Sequence, residues 1–277
     1  MKKSRYALCG LSLRGIYQFG LPLIGKNREG GPNFDDRAEV VAILDLDRER
    51  VDAFQRKVGL SVPYYAEGGI QQMIEETRPD TLIVAGPDVT HCDHIVAGLE
   101  AGCDVIVEKP MVINCEQVRR VQEAERMSGR RVRVTHNYRY TPTHRRLKRM
   151  ILGGELGRIV NVEFTYNLDN WHGSSYFYRW NRLREMSGGL SIHKCCHHFD
   201  LANWWVGDIP SEVFAFGGLN YYGPNGALRP RDSRGHPLPP EEEQRQCPVF
   251  QKHYAHFLFD GVCKSLHLRR IKGILIS

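Results

Sequence analysis

The sequence predicts an α/β fold, a doubly wound parallel sheet followed by a second domain of α+β texture. Three observations predict it. Short apolar runs alternate with segments of helical period through the first half of the chain. Those runs are continuous in Val and Ile, as in Asp104-Val-Ile-Val107, which suits strands covered on both faces. From about residue 140 the alternation stops, and residues 159–166 switch to the every-second-residue pattern of a half-buried strand.

The first strand spans residues 6–9, and a helix over 16–24 follows it. Residues 26–37 break the rhythm. They are polar, and Gly30-Gly31-Pro32-Asn33 is turn chemistry, so this stretch reads as a surface insertion. Strands at 40–44, 81–85, 105–107 and 132–135 alternate with helices at 48–58, 69–76, 91–101 and 115–128. Asp47 is placed to cap the helix that starts at Arg48. The change of texture puts the domain boundary between residues 138 and 139, giving domains 1–138 and 139–277. In the second domain we expect a helix at 145–152 ended by Gly153-Gly154, and a strand at 159–166. A Trp-, Tyr- and Arg-rich loop runs through residue 184, then a helix at 190–206 and a strand at 212–216. Residues 223–248, rich in Pro, Gly, Arg and Glu, read as a long loop.

Composition narrows the function classes. A chain of 277 residues suffices for two domains of ordinary size, and 42% apolar with 25% charged residues is ordinary globular composition. The N-terminal apolar run is broken at Gly10 and Arg14, which argues against a signal peptide. No window of about 18 apolar residues exists to cross a membrane. Eight irregularly spaced cysteines are too sparse for a disulfide scaffold, so a reducing, cytoplasmic setting is expected. The net charge of +6 is spread out. Its one cluster, Arg145-Arg146 with Lys148-Arg149, reads as a solvated helix face, and no basic stripe points to nucleic acid. Mild basicity does suit an anionic small ligand.

Four motifs carry chemistry. Gly10-Leu-Ser12-Leu-Arg14-Gly15 follows the first strand and opens a helix. A dinucleotide needs a tight turn there, a close backbone approach to its pyrophosphate, and a helix N-terminus behind it. Ser12 stands where a glycine is usual and brings a small hydroxyl. Asp45 ends the second strand, where a carboxylate accepts hydrogen bonds from the adenosine ribose and repels a 2′-phosphate. That favours NAD, although nearby Arg48 keeps NADP open. The usual spacing from the glycines is about 20 residues, and the 26–37 insertion accounts for the excess. Glu108-Lys109-Pro110 follows the strand predicted at 105–107, at the strand end where doubly wound sheets bind ligands. A lysine there can steady negative charge on a reacting oxygen; a surface turn is the bland alternative. Finally, His193, Cys196, His197 and Asp200 fall at i, i+3, i+4 and i+7, one face of a continuous helix. Imidazoles there can act as bases near neutral pH. A polar helix face with satisfied histidines is the bland reading. A zinc reading ranks below both, because the glutamate base or paired Cys-x-x-Cys usual in such sites is missing, and no metal is assigned.

With these residues the chain resembles the Gfo/Idh/MocA oxidoreductases, a family named for glucose-fructose oxidoreductase and inositol dehydrogenase. Glu108-Lys109-Pro110 is the most specific marker. Gly10 with Gly15, Ala85-Gly86-Pro87-Asp88-Val-Thr-His91, Asn137-Tyr138-Arg139-Tyr140, and Gly188-Gly189 through His197-His198-Phe-Asp200 support it. The resemblance implies an N-terminal Rossmann domain and a C-terminal domain with an open, mostly antiparallel sheet that builds dimers or tetramers. It implies that Lys109 lies near nicotinamide and substrate, and that Pro87, Asp88, His91, Glu108 and Asn137 contribute to the cofactor side. His197 is the implied acid/base. His193 stands where the family carries an Asp, and an imidazole cannot orient a neighbouring histidine as a permanent anion would. Arg139, His198 and the loop residues Tyr178, Arg179 and Trp180 are implied on the substrate side, where aromatic faces stack on sugar rings; for the loop, a place in the core of the second domain is the bland alternative. The text after about residue 255 lacks the further alternating strands of the family's sheet, so the second domain is expected to be incomplete.

The expected activity is hydride transfer between NAD or NADP and a secondary alcohol of a sugar, sugar acid or cyclitol. Lys109 would stabilise the alkoxide and His197 would take the proton. The alternatives are an NAD-dependent glycosidase of the same fold and a non-catalytic dinucleotide-binding protein.

Overall fold

The computed structural model describes residues 2–168, 170–173, 175–218, 231–236 and 238. The chain divides into two compact units, residues 1–135 with 185–188, and residues 136–184 with those from 189 onward.

The first unit is a six-stranded sheet of β1 (Ser4–Cys9), β2 (Ala38–Leu44), β3 (Tyr64–Tyr65), β4 (Thr81–Val84), β5 (Asp104–Val107) and β6 (Val132–Val134), in the order β3-β2-β1-β4-β5-β6. Every neighbouring pair is parallel. The order reverses between β1 and β4, so a crevice opens at the carboxyl ends of those strands.

The alternation within the strands shows why the sheet is buried on both faces. Ala7, Cys9, Leu82, Val84, Val105 and Val107 join one apolar cluster. Their neighbours in sequence, Leu8 and Ile83, join the other with Ile43, Val51 and Phe54. Successive side chains point to opposite faces, so one short strand feeds two cores.

The crossover helices form where expected: Arg48–Val58, Ile70–Thr77, His91–Glu100 and Cys115–Ser128. Asp47 accepts a hydrogen bond from the Arg50 amide, and Asn114 accepts one from the Gln117 amide, satisfying N–H groups that a helix start leaves over. Gly59 and Gly129 end their helices in the left-handed conformation. The first helix differs from expectation. It is a wide turn over Gly15–Gly20 that runs into Leu21–Leu23. Pro22 has no N–H to continue a regular ladder. The 26–37 insertion is a set of turns, held by bonds such as Asn27 Nδ2 to the Pro32 carbonyl at 2.8 Å.

The second unit carries a helix at Pro142–Leu152, capped by Thr141, then short helical turns at Asn170–Gly173, Ser175–Tyr178 and Trp180–Arg182. The expected helix over 190–206 is two helices, Leu190–His193 and Cys196–Val206. At the break the Cys195 amide reaches back to the Leu190 carbonyl, and the His197 and His198 amides restart the ladder on Lys194 and Cys195. The shift from a long to a short reach offsets the second helix from the first, which is why the expected single helix face does not form.

The strands expected at 159–166 and 212–216 are not formed among the described residues. A strand needs a partner ladder, and no partner strand stands among the described residues of this unit. The alternating pattern is present without its sheet: Val160, Val162, Phe164 and Tyr166 are exposed, Val160 at 86%, and Phe216 is 92% exposed. The long loop expected at 223–248 lies outside the described residues except for 231–236 and 238. Among the described residues no helix is long and apolar enough to cross a membrane.

Candidate functional site

Gly10 and Asp45 directly follow β1 and β2, and Lys109 stands two residues past the end of β5. Those strands are parallel members of one sheet, so all three residues stand along its carboxyl edge. The turn after β1 is closed by packing that only glycine permits. Gly10 has φ +99°, and a Cβ there would lie 2.4 Å from the Gly86 nitrogen. A Cβ on Gly15 would lie 2.3 Å from the Gly10 carbonyl oxygen. The turn therefore lies flush against the turn after β4, the close approach that a dinucleotide cradle requires. Ser12 Oγ accepts from the Gly15 amide at 3.0 Å, so the residue that replaces the usual glycine ties down the same turn.

Asp45 is 4% exposed. Its carboxylate accepts from the Leu11 amide at 2.7 Å and the Asp47 amide at 2.8 Å, with Arg50 at 3.7 Å. It thus joins the turn after β1 to the start of the next helix, and each oxygen keeps a lone pair for a further donor. Arg48 lies over the Tyr64 ring at 4.9 Å and is bound by Asp52 at 2.9 Å.

Glu108 is buried and accepts from the Thr135 hydroxyl at 3.0 Å, with Arg14 at 3.4 Å. Lys109 is half-buried and joined to Pro110 by a cis peptide bond. Pro87 and Asp88 form the turn after β4, with Asp88 buried.

His91 is 1% exposed, and its ring bridges two turns: Nδ1 is 2.8 Å from the Pro110 carbonyl and Nε2 is 3.2 Å from the Gly86 carbonyl. A residue expected on the cofactor side is thus a brace between the loops that carry it. Burial pushes this imidazole below its ordinary value of 6.5. The unfolded chain therefore binds a proton in the range where the folded chain does not, and stability contributed here falls as pH drops through the ordinary histidine range. We expect His91→Leu, which takes away the single N–H that the neutral ring offers to the carbonyls beside it, to cost about 1–3 kcal/mol of unfolding free energy and to flatten that acid loss. Chemical denaturation at two pH values checks both.

In the second unit, His193 lies beside Asn181 (3.2 Å), Tyr176 (ring centroids 5.6 Å apart) and Trp180 (5.7 Å). His197 belongs to the next helix, is 4% exposed, and stacks on Tyr138 with centroids 4.0 Å apart and planes 7° apart. The break at Lys194-Cys195 gives the two histidines separate surroundings. Arg139 makes a two-pronged pair with Asp200, 2.7 and 2.5 Å, so the expected substrate-side guanidinium is held by a carboxylate. His198 packs among Phe164 and Tyr166, and burial with the charge of Lys194 lowers its basicity. Asn137 opens the short turn Asn137–Tyr140 in this unit. Arg179 is exposed and Trp180 half-buried, while the side chain of Tyr178 lies outside the described residues. Among the described residues no group of three or more His, Cys, Asp or Glu is placed to hold a metal.

Sequence reasoning passed over two residues here. Neither Lys194 nor Tyr138 carries a role of its own in the sequence reading, where each stands only inside a motif. A lysine set between His193 and the paired cysteines Cys195-Cys196 was the available signal.

Comparison with known proteins gives two family matches. Residues 5–136 match the oxidoreductase family, NAD-binding Rossmann fold, and residues 148–244 match the oxidoreductase family, C-terminal alpha/beta domain. The chain is 46% identical over 241 residues to the Bacillus subtilis protein YteT, covering 86% of this chain and 53% of that one. It is 28% identical over 186 residues to an inositol 2-dehydrogenase of Rubrobacter xylanophilus, covering 65% of this chain and 48% of that one. Among solved structures it resembles the WlbA dehydrogenase of Bordetella pertussis in complex with NADH and UDP-GlcNAcA. The TM-score is 0.57 at 27% identity, covering 74% of this chain and 56% of that one. A myo-inositol 2-dehydrogenase of Lactobacillus plantarum shares the fold with a TM-score of 0.63 at 22% identity, covering 74% and 57%. The chain spans about half the length of the curated relatives it matches.

Proposed function

The chain belongs to the Gfo/Idh/MocA oxidoreductase family, and from that premise we propose that it is a dehydrogenase moving hydride between NAD and a secondary alcohol of a sugar, sugar acid or cyclitol, with NADP as a weaker second cofactor. The observation that carries this reading is the alignment of Gly10, Asp45 and Glu108-Lys109-Pro110 along the carboxyl edge of one parallel sheet. The bound dinucleotide would supply the hydride acceptor or donor.

The protein's own groups supply the rest. The Gly10–Gly15 turn admits the pyrophosphate, with Ser12 and Arg14 beside it. The free lone pairs of Asp45 accept from the adenosine ribose, and its negative charge disfavours a 2′-phosphate. Pro87, Asp88, His91, Glu108 and Asn137 shape the nicotinamide side, with His91 and Glu108 acting through the loops they brace. The Lys109 ammonium steadies negative charge on the reacting oxygen, and His197 accepts the hydroxyl proton. His193, in place of an acid, takes its orientation from Asn181. Arg139, Tyr178, Arg179, Trp180 and His198 contact the substrate. WlbA was solved with UDP-GlcNAcA and other relatives are inositol dehydrogenases, which supports the range from sugar acids to cyclitols.

The proposed domains are 1–138 and 139–277, in the cytoplasm. The exposed alternation at 159–166 supports an open antiparallel sheet that pairs copies as dimers or tetramers. Calorimetry with NAD and NADP, followed by a polyol and sugar-acid panel read at the reduced-nicotinamide band, tests the reading. We expect NAD to bind more tightly than NADP and at least one panel member to give net reduction. Failure of both nucleotides to bind the folded chain overturns it.

A further inference from the structure

Lys194 is a buried cation of the second unit, 4% exposed, at the break between helices Leu190–His193 and Cys196–Val206. Its Nζ donates to the Tyr138 hydroxyl at 3.0 Å and lies 5.3 and 5.2 Å from the ring centroids of Tyr138 and Tyr166. The two phenol hydroxyls meet at 3.1 Å. Among the described residues Lys194 forms no ion pair with a carboxylate. Burying an ammonium without a counter-charge is costly, and nearby ring faces recover only part of that cost. Packing alone does not account for a lysine here. The same Tyr138 ring stacks on His197, with the two planes nearly parallel.

We propose that Lys194 and Tyr138 are positioning residues for His197: the lysine pins the phenol hydroxyl, and the phenol ring so held fixes the plane of the imidazole. The inference rests on the reading of His197 as the proton acceptor. It has an electrostatic consequence. His136 stands edge-on to His197 at 6.0 Å, and His198 and Asp200 share its helix, with His193 on the helix before. Tyr166 and His144 flank Tyr138. The one carboxylate of this group, Asp200, is engaged by Arg139 and lies 3.8 Å from His136. Lys194 is the cation without such a partner, so its field opposes a second positive charge on His197 and keeps that imidazole neutral and proton-accepting. The fall in basicity of the adjacent His198, from burial and from Lys194, has the same sign.

The test is a proton NMR titration of the His197 Cε1–H in the full chain, assigned with His197→Gln, beside the pH profile of kcat/KM. Lys194→Met removes the cation and should raise the His197 midpoint by about one unit. The acid limb of kcat/KM should follow it, with kcat down about tenfold and the nucleotide KM unchanged. Lys194→Arg keeps a charge and should restore the midpoint. Tyr138→Phe keeps the ring and the fold while releasing the lysine; kcat should fall with KM unchanged. A His197 midpoint the same in Lys194→Met as in the native chain overturns the electrostatic role. Unaltered kcat and midpoint in Tyr138→Phe overturn the pinning. A midpoint that moves while the acid limb stays still supports the positioning and removes His197 from the reaction instead.

Discussion

Lys109→Ala is expected to lower turnover by about 10²–10⁴-fold while NAD binding persists. The loss corresponds to about 3–5 kcal/mol of barrier. Binding survives because the loop has other anchors. Its neighbours anchor it: Glu108 is held by Thr135 and Arg14, and the Pro110 carbonyl by His91. The residue before the cis bond is thus carried on a frame fixed at both ends, with its own side chain half-buried. What alanine removes is a charge at the sheet edge where doubly wound folds react their ligands. Lys109→Arg should recover only part of the rate, because a planar, always-charged fork cannot replace a compact ammonium that can pass a proton. Single-turnover kinetics beside calorimetry separate the two effects. Turnover equal to the native chain takes Lys109 out of the chemistry and leaves the cradle intact.

The first unit was legible because its physics is local. Buried parallel strands must be continuously apolar, and their helices must carry caps, so 40–44 and 48–58 could be read directly, down to Asp47. β3 was missed because two residues, Tyr64 and Tyr65, are too few to show a period. The role of His91 was missed because its partners are carbonyls of other turns, which no side-chain pattern records. The second unit was harder for a related reason. The break at Lys194-Cys195 has neither glycine nor proline to announce it. The alternation at 159–166 and 212–216 states a preference for pairing without naming the partner, and that partner is not among the described residues. Patterning tells which face a residue prefers. It does not tell what a buried lysine or a motif tyrosine will touch, and so Lys194 and Tyr138 emerge only from coordinates.

Gly10→Ala should damage the chain more than any other single methyl group added to the sheet edge. Two costs combine. A positive φ of 99° is strained for alanine, about 1–3 kcal/mol. The new Cβ also meets backbone, 2.4 Å from the Gly86 nitrogen and 2.5 Å from its Cα, where no flexible side chain can give way. Forcing the turns after β1 and β4 apart adds overpacking of about 1–3 kcal/mol. The same movement pulls on the Gly86 carbonyl that His91 braces and on the Leu11 amide that Asp45 holds. Stability and nucleotide affinity should therefore fall together. Gly30→Ala is the matched control. Gly30 also has a positive φ, 72°, but a Cβ there meets nothing within 4 Å, so it carries the strain without the clash. Denaturant midpoints and NAD titrations on both variants isolate the close approach. If Gly10→Ala behaves like Gly30→Ala in both, the two turns are not in forced contact, and the crevice owes its shape to something other than the glycine.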